Sequence, residues 1–249
     1  MTGEVTVTGE HGESALSSAP DPQLCGRIED DDTLWKVAWE CEERPKGSRW
    51  LVAKGEKGHL LVPTDRIQGI ECPDLVSGAY SDKDHNYWRW AWDRAYDWFG
   101  QPPWGTFGLG VNSAGSRSKN QLHIHMSVVV QGVAGDLEQA RAAGTVAKDL
   151  SHWPLQLTTV KGWDGKLSAR DPRSYRVVHT ANLDFNLFAA LHDYVITPTG
   201  ENMAAQTLIV VGAGGGQKDG YYLLNSRKDL VKPPTAPGVG YCDSVLVCK

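Results

Sequence analysis

The sequence predicts an α+β fold, an antiparallel sheet with helices packed on one side. Three observations carry that expectation. Short apolar, β-branched runs recur and pair around the turn signals GEKG (55–58) and GGGQKDG (214–220). Two segments, 85–100 and 183–195, have the 3.6-residue apolar period of helices. These helical segments stand apart from the strands and do not alternate with them one for one, as a parallel βαβ fold would require.

The elements follow in chain order. Residues 1–24 lack both the basic start and the apolar core of a signal peptide, so they read as a flexible N-terminal arm ahead of a single domain over 25–249. Leu34, Val37, Ala38 and Cys41 recur at helical spacing in 31–43, behind an acidic start that suits a helix N-terminus. RWLVAKG and GHLLVPTD read as a hairpin, with Pro63 ending or edging its second strand.

In 85–100, Trp88, Trp92, Ala95 and Phe99 share a face with Ala91 and Trp98 beside it, and Gly100 with Pro102 and Pro103 stops the helix. Its tryptophans read as core, the alternative being an apolar groove for substrate. FGLGVNS is a strand, AGSRSKN a loop, QLHIHMSVVV a strand, and 136–152 a helix. Strand and loop fill 153–181. TLIVVGA and GYYLLNSRK close the sheet around a glycine-rich hairpin tip, which lacks the GK[ST] ending of a phosphate loop.

At 249 residues, with 41% hydrophobic and 22% charged residues, the composition is that of a soluble globular chain. The net charge of −5 argues against a general nucleic-acid binder. No stretch is long and apolar enough to span a membrane, and with no signal peptide the expected location is cytoplasmic. Cys25, Cys41, Cys72, Cys242 and Cys248 form no CxxC pair and read as five reduced thiols; a bridge from Cys25 or Cys41 to the Cys242/Cys248 tail is the alternative for an exported protein.

Chemistry concentrates in 112–125, NSAGSRSKNQLHIH. On a strand, Gln121, His123, His125 and Ser127 point one way, while Leu122, Ile124, Met126 and Val128 point the other. The two imidazoles then stand about 6–7 Å apart along the strand. The loop ahead of them offers small residues, hydroxyls and the cations Arg117 and Lys119, the donors and charge that a phosphate needs. Paired histidines serve as metal ligands, as structural groups, or as nucleophile and acid. No third Asp, Glu, His or Cys stands nearby at ligand spacing, so no metal and no cofactor are expected. A neutral imidazole is a competent nucleophile toward phosphorus, and that use explains the adjacent loop best. Arg66, after the Pro63 turn, is a further candidate for a phosphate contact. His59 reads as an ordinary surface or hairpin histidine, and His179 and His192 read as structural.

The segment NSAGSRSKNQLHIHMS resembles the histidine-triad (HIT-like) superfamily, and more closely its CDP-diacylglycerol pyrophosphatase branch. HLLVPTDRIQGIECP resembles that branch's PT-x-RI-x-G-x-E-x-P segment. WRWAWDRAYDWFGQP, LWKVAWEC and YYLLNSRKDL resemble its aromatic helix, first helix and late strand, so the similarity runs from about residue 33 to 231.

The resemblance implies a HIT-like fold and cleavage of a nucleotide-linked pyrophosphate, such as CDP-diacylglycerol to CMP and phosphatidate, through a nucleotidyl-histidine. His123 takes the nucleophile's place. His125 takes that of the histidine that holds phosphate oxygens or assists the leaving group. Gln121 stands where the family has its first triad histidine, and the backbone carbonyl there orients the nucleophile. Asn112, Ser118 and Asn120 match phosphate-cradling loop positions, with Lys119 among them, and 63–67 borders the nucleotide.

The partner implied is a small-molecule or lipid-linked nucleotide. Two alternatives stand beside the hydrolase: an enzyme of small-molecule biosynthesis using His123 and His125 as acid and base, and a nucleotide-binding protein without catalysis.

Overall fold

The computed structural model describes residues 34, 49–54, 58–77, 85–163, 170–232 and 236–248. Except for Leu34, the helix expected over 31–43 lies outside them, as does the N-terminal arm. The apolar runs form eight strands: β1 (Trp50–Lys54), β2 (His59–Pro63), β3 (Phe107–Val111), β4 (Ile124–Val128), β5 (Leu157–Trp163), β6 (Arg170–Thr180), β7 (Gln206–Gly212) and β8 (Tyr221–Arg227). They make one sheet in the order β1-β2-β4-β3-β7-β8-β6-β5, with every neighbouring pair antiparallel. The molecule is therefore α+β, with a large antiparallel sheet and few helices. A small two-stranded ribbon, β9 (Val231–Lys232) with β10 (Ala236–Pro237), follows β8.

Helix α1 (Tyr87–Trp98) begins where the Asn86 side chain accepts the Arg89 N–H, a cap that satisfies one of the orphan donors of the first turn. Trp88, Ala91, Trp92 and Ala95 form its buried stripe, packed on Leu61, Leu109, Ile124 and Met126 of the sheet. The Trp92 ring lies 4.4 Å from Phe107 and 4.8 Å, edge-on, from Tyr221, so these tryptophans are core. Trp98, expected at the margin of that stripe, is instead 63% exposed. Its ring lies 3.9 Å from His59.

The segment 183–195 is helical only from Leu187. Asn186 caps α3 (Leu187–Leu191), accepting from Phe188 and Ala189 N–H and donating to the Leu75 carbonyl. A π-turn (His192–Ile196) then leads to a last short helical piece (Thr197–Thr199).

The expectation of helices on one side alone is corrected. Strand β7, QTLIVVG, is buried at every position. Leu208 and Val210 face the core under α1 and α3, while Ile209 and Val211 face a second core. Helix α2 (Val133–Ala142), through Val133, Leu137 and Ala140, covers that second face with Val239, Cys242, Val245 and Leu246 of the C-terminal segment. An unbroken apolar run in a strand, as opposed to an alternating one, is the mark of burial on both faces.

Helix α2 also differs from the predicted 136–152. It ends at Ala142, because Gly144 turns with φ +71°, a conformation natural only to glycine. Ala147 then bridges Val178, and a 3-10 turn covers Leu150–Leu155.

Five reduced thiols are not what the structure holds. Cys72, wholly buried, is disulfide-bonded, whereas Cys242 and Cys248 are free thiols. The alternative bridge to the C-terminal pair is therefore absent too. Sequence spacing says nothing of which cysteines the fold brings together. No helix among the described residues is long and apolar enough to cross a membrane.

Candidate active site

Strand β4 sits between β2 and β3, which places His125 opposite Leu60 on one side and Gly110 on the other. The strand expected from Gln121 begins only at Ile124. Ahead of it the chain bonds elsewhere: Leu122 N–H donates to the Ile67 carbonyl at 2.6 Å, drawing 121–123 onto the segment after β2. His123 therefore sits at the mouth of β4 and His125 inside it. Their ring centroids are 5.0 Å apart at 64°.

Gln121 is fully buried and organises this corner with both ends of its structure. Its carboxamide NH2 donates to the carbonyls of Pro63 (3.1 Å) and Asp65 (2.8 Å), and its Oε1 accepts the Ile67 N–H at 3.4 Å. Its backbone carbonyl lies 2.7 Å from His123 Nδ1. A carbonyl only accepts, so that contact requires the proton on Nδ1 and leaves the lone pair on Nε2. Burial, and then the neighbouring His125 ring, lower the His123 imidazole to about 4 against the opposing pull of the Gln121 carbonyl. His123 is thus neutral at pH 7.

The loop ahead is less cationic than its sequence suggests. The Arg117 guanidinium is spent on Glu71 in a two-pronged pair at 2.7 and 2.6 Å, and its Nε reaches the Asn120 carboxamide oxygen at 3.3 Å. The arginine side chain is only 6% exposed. Ser118, Lys119 and Asn120 are exposed, and Arg66 is buried in the segment tied to Gln121. Asn112 turns its side-chain oxygen to the Cys242 N–H at 2.8 Å.

That bond belongs to a larger clamp. Ser113 N–H donates to the Gly240 carbonyl, Ser127 Oγ to the Val247 carbonyl, and Val247 N–H to the Val128 carbonyl. The C-terminal segment is laid along the His125 side of β4, and Cys242 and Cys248 come with it. The ligand atoms of His125, Cys242 and Cys248 lie within 4.8 Å of one another. No third metal-ligand type stands near the histidines in the sequence, yet folding supplies two thiols. The Cys242 thiol lies 3.8 Å from Asp243 Oδ1. Burial pushes Cys242 well up; the Cys242 thiol, with the His125 ring adding to it, draws Cys248 down to about 6.

A cavity of about 440 Å³ lies beyond the Arg117–Glu71 pair, with Glu71, Cys72, His192, Ile196, Glu201 and Met203 in its wall. The π-turn thus edges this cavity, a common location for such turns. His179 is structural, its Nε2 lying 2.7 Å from the Asp219 carbonyl. Sequence reasoning gave no role to Glu71, the partner of Arg117, and did not connect the two C-terminal thiols with the histidines. A lone acid in ECP and cysteines more than a hundred residues from the histidines carry no local signal of their use.

Residues 41–236 match the family described as CDP-diacylglycerol pyrophosphatase. A CDP-diacylglycerol pyrophosphatase of Yersinia pestis is 31% identical over 122 residues, which make up 41% of this chain and 46% of that protein. The aligned stretch therefore spans less than half of the relative's length. Cys242 and Cys248 lie beyond the residues that match the family.

Proposed function

The chain belongs to the CDP-diacylglycerol pyrophosphatase family, and from that premise we propose that it hydrolyses CDP-diacylglycerol to CMP and phosphatidate through a cytidylyl-histidine at His123. One observation carries the reading: the Gln121 carbonyl at His123 Nδ1, which directs the free lone pair to Nε2. The fold proposed is HIT-like, one domain over 25–249, with Gln121 in the first triad position. A glutamine serves there because the group used is its backbone carbonyl.

In the first step the Nε2 lone pair attacks the phosphorus of the CMP half. An N–P bond forms, the bridging P–O bond breaks, and phosphatidate leaves with the electron pair. In the second step water adds to the same phosphorus, the N–P bond breaks back to neutral His123, and CMP departs while the water's second proton passes to solvent. His125, 5.0 Å away between ring centroids, holds the phosphate oxygens or protonates the leaving oxygen. Ser118, Lys119 and Asn120 offer hydroxyl, ammonium and amide donors from the exposed loop, and Arg66 a further cation. Asn112 contributes through the C-terminal segment that it holds.

The test is CMP release from CDP-diacylglycerol in detergent micelles. Wild type is expected to release CMP and His123→Gln to release none above background. Absence of CMP from wild type at high enzyme concentration would remove the substrate assignment.

A further inference from the structure

The second imidazole of the site has neighbours that pyrophosphate hydrolysis does not need. His125 Nε2 is buried and makes no hydrogen bond among the described residues. A buried polar atom left so is costly and calls for an explanation. The free thiols of Cys242 and Cys248 gather around the same ring, all three ligand atoms within 4.8 Å of one another.

The fold has made room for this. Gly110 faces His125 across the ladder, and a Cβ on it would fall 2.4 Å from Cys242 Cβ and 2.9 Å from its Sγ. Only a glycine at that position lets the thiol lie over the strand. The Asn112 side chain then fixes the backbone of Cys242, and the Val247 N–H to Val128 carbonyl bond fixes that of Cys248's neighbour. Three ligands from two separate chain segments are therefore held side by side.

We propose that His125, Cys242 and Cys248 form a binding site for a thiophilic divalent cation of the Zn²⁺ class, with one coordination position left open. One nitrogen and two sulfurs are the soft donor set that selects such a cation over Mg²⁺ or Ca²⁺. Metal–ligand bonds of about 2.0–2.3 Å put tetrahedral ligand atoms roughly 3.5–4 Å apart, a small closure from the spacing seen. Binding forms one metal–nitrogen and two metal–sulfur bonds, and the two thiol protons pass to solvent; nothing is oxidised or reduced.

The consequence for activity rests on the function proposed above. A cation on His125 takes up the ring lone pair and so keeps that nitrogen from carrying the proton that phosphate handling requires, and the occupied enzyme is inhibited.

The experiment uses the full chain, stripped of metal by chelator and kept under argon, and titrated with Co²⁺. Expected are one Co²⁺ per chain, tetrahedral visible absorption, a thiolate charge-transfer band, and displacement of both signals by Zn²⁺. Cys248→Ser, at a half-buried position near the chain end, loses the charge-transfer intensity and at least about tenfold in affinity. Circular dichroism checks that this variant is folded; Cys242, being fully buried, is the less suitable position to change.

A wild type without the charge-transfer band overturns the site, as does a Cys248→Ser variant with an unchanged spectrum. A Cys242–Cys248 disulfide found by peptide mapping overturns it too. In the activity arm, saturating Zn²⁺ cuts CMP release at least tenfold in wild type and much less in Cys248→Ser. Zn²⁺-insensitive release from a Co²⁺-binding protein overturns the inhibition. No CMP release at any metal level sinks the hydrolase reading alone.

Discussion

The backbone carbonyl of Gln121 lies 2.7 Å from Nδ1 of His123, two residues along the chain. That contact fixes the tautomer of a buried imidazole whose other nitrogen then faces the site with a lone pair. Because the carbonyl belongs to the backbone, the side chain at 121 is released for another task. It uses that freedom to strap Pro63, Asp65 and Ile67 to the mouth of β4.

Removing that strap is expected to cost stability. Gln121→Ala deletes three hydrogen bonds, two buried and one partly buried, and leaves two carbonyls and an N–H to find new partners, so about 2–4 kcal/mol is expected. Urea unfolding measures it. Gln121→His keeps the carbonyl but not the three side-chain bonds, so it is expected to retain turnover while lowering the denaturation midpoint.

His123 gives a pH signature. Its folded imidazole titrates near 4, against an ordinary value of 6.5, first because it is buried and then because His125 stands beside it. In the proposed mechanism the neutral form attacks, so kcat/KM is expected to stay level from pH 7 down to about 5 and to fall through about 4. Stability follows with the opposite partner titrating. Between 6.5 and 4 the unfolded chain binds a proton that the folded chain refuses, so stability drops as pH falls through that window. The loss is of order 3 kcal/mol. His123→Gln removes it, so the variant is expected to gain on wild type at pH 4.5 relative to pH 7.5 in paired denaturation curves.

Arg117 and Glu71 form a pair whose guanidinium side is almost wholly enclosed. Arg117→Met leaves a partly buried carboxylate without its counter-charge and is expected to destabilise by about 3–5 kcal/mol. Glu71→Gln, which frees the arginine, is expected to be milder. The NMR titration of His123 should move upward in Arg117→Met, since a nearby positive charge disfavours protonation of the ring.

Gly110→Ala drives a methyl into Cys242 at 2.4 Å. Since the neighbour is a fixed part of a buried turn, the C-terminal segment has to shift, at about 1–3 kcal/mol. Limited proteolysis is expected to release the residues after 238 faster from this variant, and also from Asn112→Ala, which gives up the bond to the Cys242 N–H.

What could be read from the sequence was what is encoded locally. The 85–100 helix, the hairpin around GGGQKDG and the proximity of His123 to His125 each follow from period and turn chemistry within a short window. Helix α2 was misplaced because Gly144 interrupts an apolar pattern that otherwise runs on. Helices on both faces were foreshadowed in the LIVV of β7, whose unbroken apolar character has no polar side to give to solvent. The Arg117–Glu71 pair and the thiols beside His125 join residues far apart in the chain. Their meeting depends on the whole topology and leaves no local mark.

The most direct measurement is the intact mass of the protein quenched within one turnover of CDP-diacylglycerol. A mass increment of one cytidylyl group, mapped by peptide sequencing to His123 and absent from His123→Gln, is the predicted result. CMP formed by wild type with no adduct at any quench time, together with turnover retained in His123→Gln, would contradict the covalent role of His123.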